Sequence, residues 1–120
     1  MDSIEPTCEV VITAPSADWL VEFARRLVER RLCAGSHTVT EIRSIYHWRG
    51  EIEDRPEARV ALHTRTALVP EIVELADKEH PYEVPCVVAW PIINGNPAYL
   101  AWIIAETREP KPPTTNSESS

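Results

Sequence analysis

The run from His37 to Trp48 constrains this chain more than any other part of it. Thr, Val, Ile, Tyr and Trp dominate it, the residue types that fit a pleated surface. Its apolar positions Val39, Ile42 and Ile45 do not keep one alternation, which predicts a bulge or bend near Thr40-Glu41. Arg49-Gly50 supplies a hairpin turn. The return strand passes through Ile52 and then Arg59 to Arg65, with Val60, Leu62 and Thr64 on one side and Ala61 and His63 on the other.

Helical patterns flank this hairpin and can cover one face of it. On the near side a short β-branched strand, Cys8 to Thr13, is closed by Pro15. Ser16 then caps a helix whose Leu20, Phe23, Ala24, Leu27 and Val28 recur at helical spacing, and Gly35 is the expected stop. On the far side, Thr66 to Glu79 reads as a second helix with Pro70 in its first turn. His80-Pro81 ends it, because the residue before a proline is pushed out of the helical region. A fourth strand is expected over Val84 to Ile93. A short third helix then follows from an Asn96 cap and Pro97, through Tyr99 to Thr107. The order β-α-β-β-α-β-α, with right-handed crossovers, gives an α+β, ferredoxin-like split β-α-β sandwich: four antiparallel strands, two helices on one face and an extra C-terminal helix. Residues 1-108 form that domain. Residues 109-120 are expected to be a disordered tail, since they contain nothing apolar to bury.

Composition narrows the partners. A chain of 120 residues suits one core, and 43% apolar residues suit a folded one. A net charge of −7 argues against nucleic acid, whose phosphates demand clustered cations. No apolar run is long enough to span a bilayer, and the first residues lack the pattern of a signal peptide, so no membrane partner is expected. The three cysteines, Cys8, Cys33 and Cys86, have no paired spacing and read as free thiols of a cytoplasmic protein. The sequence contains no nucleophile elbow, phosphate-cradling glycine loop or H-E-x-x-H, and the reading is non-enzymatic. The hairpin would leave apolar surface and strand edges in water in a monomer, so an oligomer is expected.

Four segments carry a family resemblance: Thr13-Ala14-Pro15; Ser44 to Glu53 (SIYHWRGEIE); His80 to Pro85 (HPYEVP); and Gly95 to Ile103 (GNPAYLAWI). Together they resemble the CutA, or divalent-cation tolerance, family over about residues 10 to 107. The resemblance implies a homotrimer, and it implies that the Tyr46/Trp48 strand and the His80-Pro81-Tyr82 loop meet in a cleft between subunits. It also implies a role in tolerance to copper and other divalent cations. The chain differs from the usual pattern at His63, commonly Lys, at Cys86, commonly Glu, and at Thr40-Glu41, commonly Pro-Gly. It differs again in the run Cys33 to His37, where the cysteine is displaced by two.

The candidate metal ligands are His80 and Cys86. An imidazole is a neutral nitrogen donor for copper or zinc at neutral pH. The alternative for His80 is a helix-end hydrogen bond to last-turn carbonyls. Cys86 would pair with His63 if the fold brings them together; otherwise it is a small buried strand residue. Tyr46, Trp48, His63, Tyr82 and Trp102 are the candidate ligand cleft, with subunit packing as the alternative for the aromatics. Glu51, Glu53, Asp54 and Glu57 read as a solvated acidic patch. The leading expectation is a metal-responsive, copper-binding trimer. The alternatives are a PII-like small-molecule sensor and a structural scaffold for partner proteins.

Overall fold

In the first strand, β1 (Thr7–Ala14), Cys8, Val10, Ile12 and Ala14 point to one side and are almost wholly buried. The computed structural model describes residues 5–112. The first helix, α1 (Ala17–Glu29), covers that side with Leu20, Phe23, Ala24 and Leu27. Each large apolar side chain buried there contributes about 1.5–3 kcal/mol. Ser16 caps α1 as expected, its hydroxyl accepting from the Trp19 N–H at 3.1 Å. The stop is not Gly35. The helix ends because Arg31 takes a left-handed conformation (φ 58°) and the Leu32 N–H turns back to Leu27 O at 2.8 Å. The turn buries Leu32, and that apolar contact offsets the cost of a non-glycine residue in this region.

Gly35 instead begins β2 (Gly35–Trp48), which runs antiparallel to β3 (Glu51–Arg65). The register shifts between Val39 and Ile42, where the bulge was expected. β3 is unbroken through Pro56, although the sequence suggested a gap before Arg59. Pro56 lies past the last β1 pairing, Ala14↔Ala58, so no neighbouring strand needs its missing N–H on that edge. A 3₁₀ turn at Thr66–Leu68 leads into α2 (Val69–Glu79), which adds Ile72 and Ala76 to the core. β4 is shorter than expected, Val87–Pro91. Pro85 cannot donate to a ladder, and the β1 edge runs out at Thr7, whose carbonyl takes the Ile92 N–H at 3.0 Å. The sheet order is β2-β3-β1-β4, every pair antiparallel.

The third helix, α3 (Pro97–Glu106), is capped by the Asn96 side chain, which accepts from the Ala98 N–H at 2.9 Å. It packs on the face of the sheet opposite α1 and α2. Trp102 lies over Gly35, so close that an added Cβ would meet its ring at 3.4 Å. Past the helix the chain remains tied down, contrary to a tail beginning at residue 109. Arg65 meets Glu109 at 3.3 Å, the Lys111 N–H donates to Glu71 at 3.1 Å, and Arg108 also bonds Glu71. The rest of the expected tail, residues 113–120, lies outside the described residues.

Candidate functional site

The face of the sheet away from α1 and α2 divides into two ends. At one end the outer half of the hairpin meets the segment 81–86 that leads into β4, and together they enclose a cleft of about 840 Å³. The pairings Ser44↔Arg55 and Tyr46↔Glu53 put Ser44, Tyr46, Glu53 and Arg55 on one face of the hairpin, and the Ile42↔Glu57 pairing adds Glu57. Glu57 is only 3% exposed. Its carboxylate accepts from Ser44 Oγ at 2.7 Å and from the Tyr82 hydroxyl at 2.5 Å. Burial, and then the hydrogen bond to Glu57, hold the Tyr82 phenol well above its usual range, so it stays a donor. At the rim, Arg49 pairs with Glu83 at 2.5 Å and lies over the Trp48 ring at 5.1 Å. Arg55 pairs with Glu53.

His80 builds this end without presenting a free lone pair. A carbonyl can only accept, so Nε2–H donates to Thr13 O at 2.7 Å; Nδ1 accepts from the Tyr82 N–H at 2.9 Å. The ring is 7% exposed and meets Trp19 edge-on. Both His80 nitrogens thus serve a structural role in this fold. That role differs from the helix-end alternative, because the side chain reaches strand β1 rather than a last-turn carbonyl. What it holds is Tyr82, over Glu57. Cys86 is exposed on the cleft wall, just before β4, not buried within a strand.

His63 and Trp102 lie at the other end of the face, so the five expected cleft residues split. Tyr46, Trp48 and Tyr82 share the cleft, whereas His63 and Trp102 pack with α3. His63 hydrogen-bonds Glu9 at 2.9 Å and Tyr99 at 2.6 Å, and Tyr99 stacks on Trp102. The hydrogen bond from His63, partly opposed by burial, holds the Glu9 carboxyl below the usual range. His63 thus meets Glu9 and Tyr99, and Cys86 is not among its partners. Among the described residues no three His, Cys, Asp or Glu side chains converge on a metal position.

Sequence reasoning missed Glu57 and Glu9. Glu57 was grouped with the acidic patch. The signal that separates it is parity: it stands one position before the buried Ala58-Val60-Leu62 series and opposite Ile42 across the bulge. Glu9 was hidden by its strand, where it is the one charged residue among apolar neighbours.

The fold and its open-faced cleft define a class, the ferredoxin-like α+β sandwiches built as a split β-α-β unit. The family follows from direct comparison. Residues 8–106 match the family described as CutA1 divalent ion tolerance protein, and the chain belongs to that family. It is 40% identical to the divalent-cation tolerance protein CutA of Thermus thermophilus over 98 residues, 82% of this chain and 95% of that one. It is 41% identical to mouse protein CutA over 92 residues, 77% of this chain and 52% of the mouse protein. The chain thus spans about half the length of the mammalian relatives it matches. Among solved structures, the Thermus thermophilus protein superposes with TM-score 0.82 at 38% identity, covering 85% of this chain and 99% of that one. CutA1 from Oryza sativa superposes with TM-score 0.85 at 31% identity, covering 90% and 99%. The family's description and the names of the Thermus thermophilus protein state divalent-ion or divalent-cation tolerance.

Proposed function

We propose that this chain acts as a cytoplasmic homotrimer in the response to divalent metal ions, copper among them, and catalyses no reaction. The observation that carries the assembly is the outer hairpin. In the single chain Ile45 and Ile52 are 64% and 66% exposed, and Trp48 and Val39 elsewhere on the same hairpin are exposed as well. Apolar surface of that kind on a long edge hairpin is what closed oligomers cover. The number three rests on the family likeness. Cation handling is what the family's description and the Thermus relative's name state. Three free cysteines support a reducing compartment. No helix among the described residues is long and apolar enough to cross a membrane. Burial pushes the Cys33 thiol up to about 12 and raises that of Cys8, so neither supplies a nucleophilic thiolate at neutral pH. Light scattering and native mass measurement on the purified chain test the assembly: a trimer is expected, and a monomer at micromolar concentration overturns it.

A second reading has its own observation. The cleft floor of Glu57, Ser44 and Tyr82 is preorganised beside the faces of Tyr46 and Trp48. Apolar walls with a few fixed polar groups suit a small organic ligand. Thermal stabilisation by any member of a nucleotide and metabolite panel, lost in Tyr82→Phe, supports the sensor reading; no stabilisation across the panel removes it.

A further inference from the structure

One imidazole outside the cleft is already oriented as a ligand. His63 stands across from Glu9 in the β1–β3 pairing. A carboxylate only accepts, so His63 Nε2 carries the hydrogen and donates to Glu9 Oε2 at 2.9 Å. The Trp90 indole N–H donates to the other Glu9 oxygen at 3.1 Å and fixes the carboxylate from β4. Neutral His63 therefore has its lone pair on Nδ1, where the Tyr99 hydroxyl donates to it at 2.6 Å. A carboxylate that holds one ring nitrogen so that the other presents a lone pair is the arrangement that orients imidazole ligands around metal ions.

A second imidazole is adjacent. The His37 ring meets the His63 ring edge to face, with centroids 5.9 Å apart. Two imidazoles on one metal, with bonds of about 2.0 Å, place their centroids about 4.5 to 6.3 Å apart depending on the angle between them. His37 is exposed, and among the described residues its side chain makes no hydrogen bond, so its ring is free to turn.

We propose that His63 Nδ1 and His37 form a two-imidazole site for a borderline divalent cation, with copper(II) the tightest, water completing the coordination and Glu9 behind His63. Copper(II) heads the affinity order of first-row divalent ions for nitrogen sites. Tyr99 is the group the metal displaces from Nδ1. This inference rests on the cation-handling reading and gives it a location different from His80 and Cys86.

The test is calorimetric titration of copper(II) into the purified full chain and into His37→Ala, His63→Gln and Cys86→Ser, with electron paramagnetic resonance counting nitrogen ligands. The wild type is expected to bind with two nitrogens. His37→Ala and His63→Gln are each expected to weaken binding at least about tenfold and to lower the nitrogen count, and Cys86→Ser to leave both unchanged. Undiminished affinity in both histidine variants overturns the site. Loss confined to Cys86→Ser also overturns it but leaves cation handling intact with the metal at the cleft wall. A wild type that binds no copper overturns the site and the copper reading together, while the trimer measurement stands apart. Because His37 is exposed, His37→Ala keeps the test decisive even if His63→Gln fails to fold.

Discussion

At the scale of single residues, His80 shows how an isolated histidine is to be read. Both its nitrogens are used, one on Thr13 O and one on the Tyr82 N–H, inside a nearly closed pocket against Trp19. Removing the ring takes their partner from two half-buried backbone groups, Thr13 O and the Tyr82 N–H, and opens space beside an aromatic. His80→Ala is expected to lower stability by about 2–4 kcal/mol, read by urea denaturation. His80→Gln, which keeps an acceptor and a donor, is expected to recover part of the loss. Equal stability of wild type and His80→Ala would refute the role. The sequence could place His80 at a helix end, since Pro81 dictates that, but not its partners. Thr13 is 67 positions away, and only the sheet brings the two together. Position 63 has the same lesson: the strand parity of His63 was legible, whereas its contacts with Glu9 and Tyr99 came from the β1–β3 register and from α3 docking on the open face.

At the scale of elements, local chemistry made most of the fold legible. The Ser16 and Asn96 caps, the break at Pro81 and the bulge at Thr40-Glu41 are written in adjacent residues, and all four stand where they were expected. What failed was decided elsewhere in the chain. The α1 stop depends on burying Leu32, and the length of β4 depends on where β1 ends. The segment after α3 reads as a tail because it lacks apolar residues, but polar anchors hold residues 108–111. Burial alone would raise the Glu71 carboxyl; hydrogen bonds from the Lys111 N–H and from Arg108 outweigh it and hold the group below the usual range. Its folded pKa is depressed, so the stability it contributes is present above the unfolded carboxylate value. That contribution is lost as pH falls through the folded one. Denaturation midpoints from pH 7 to pH 3 are expected to fall less steeply in Glu71→Gln than in wild type. Ending the chain at Thr107 is expected to lower the Tm by about 4 °C or more, roughly 1 kcal/mol, and ending it at Pro112 to leave it unchanged. Differential scanning calorimetry on the two truncations decides this.

At the scale of the whole molecule, the two exposed isoleucines of the hairpin are the handle on assembly. Ile45 and Ile52 are about two-thirds exposed in the single chain and belong to none of its buried core. Ile45→Asp with Ile52→Asp is therefore expected to leave the helical content of the chain intact while shifting its mass in light scattering from trimer to monomer. An unchanged trimer would show that these side chains are not at the interface.

The central position of β1 also bears on how such a chain can change over evolutionary time. β1 is hydrogen-bonded along both edges, its inward residues make the core, and its outward Glu9 and Thr13 serve the two ends of the open face. Gaining or losing one codon inside β1 would exchange its two faces and damage the core and both ends at once. The same event in β2, an outer strand that already accommodates an extra residue at its bulge, shifts only the stretch beyond it. Length variation among descendants of this chain should therefore collect around residues 40–41 and spare 7–14.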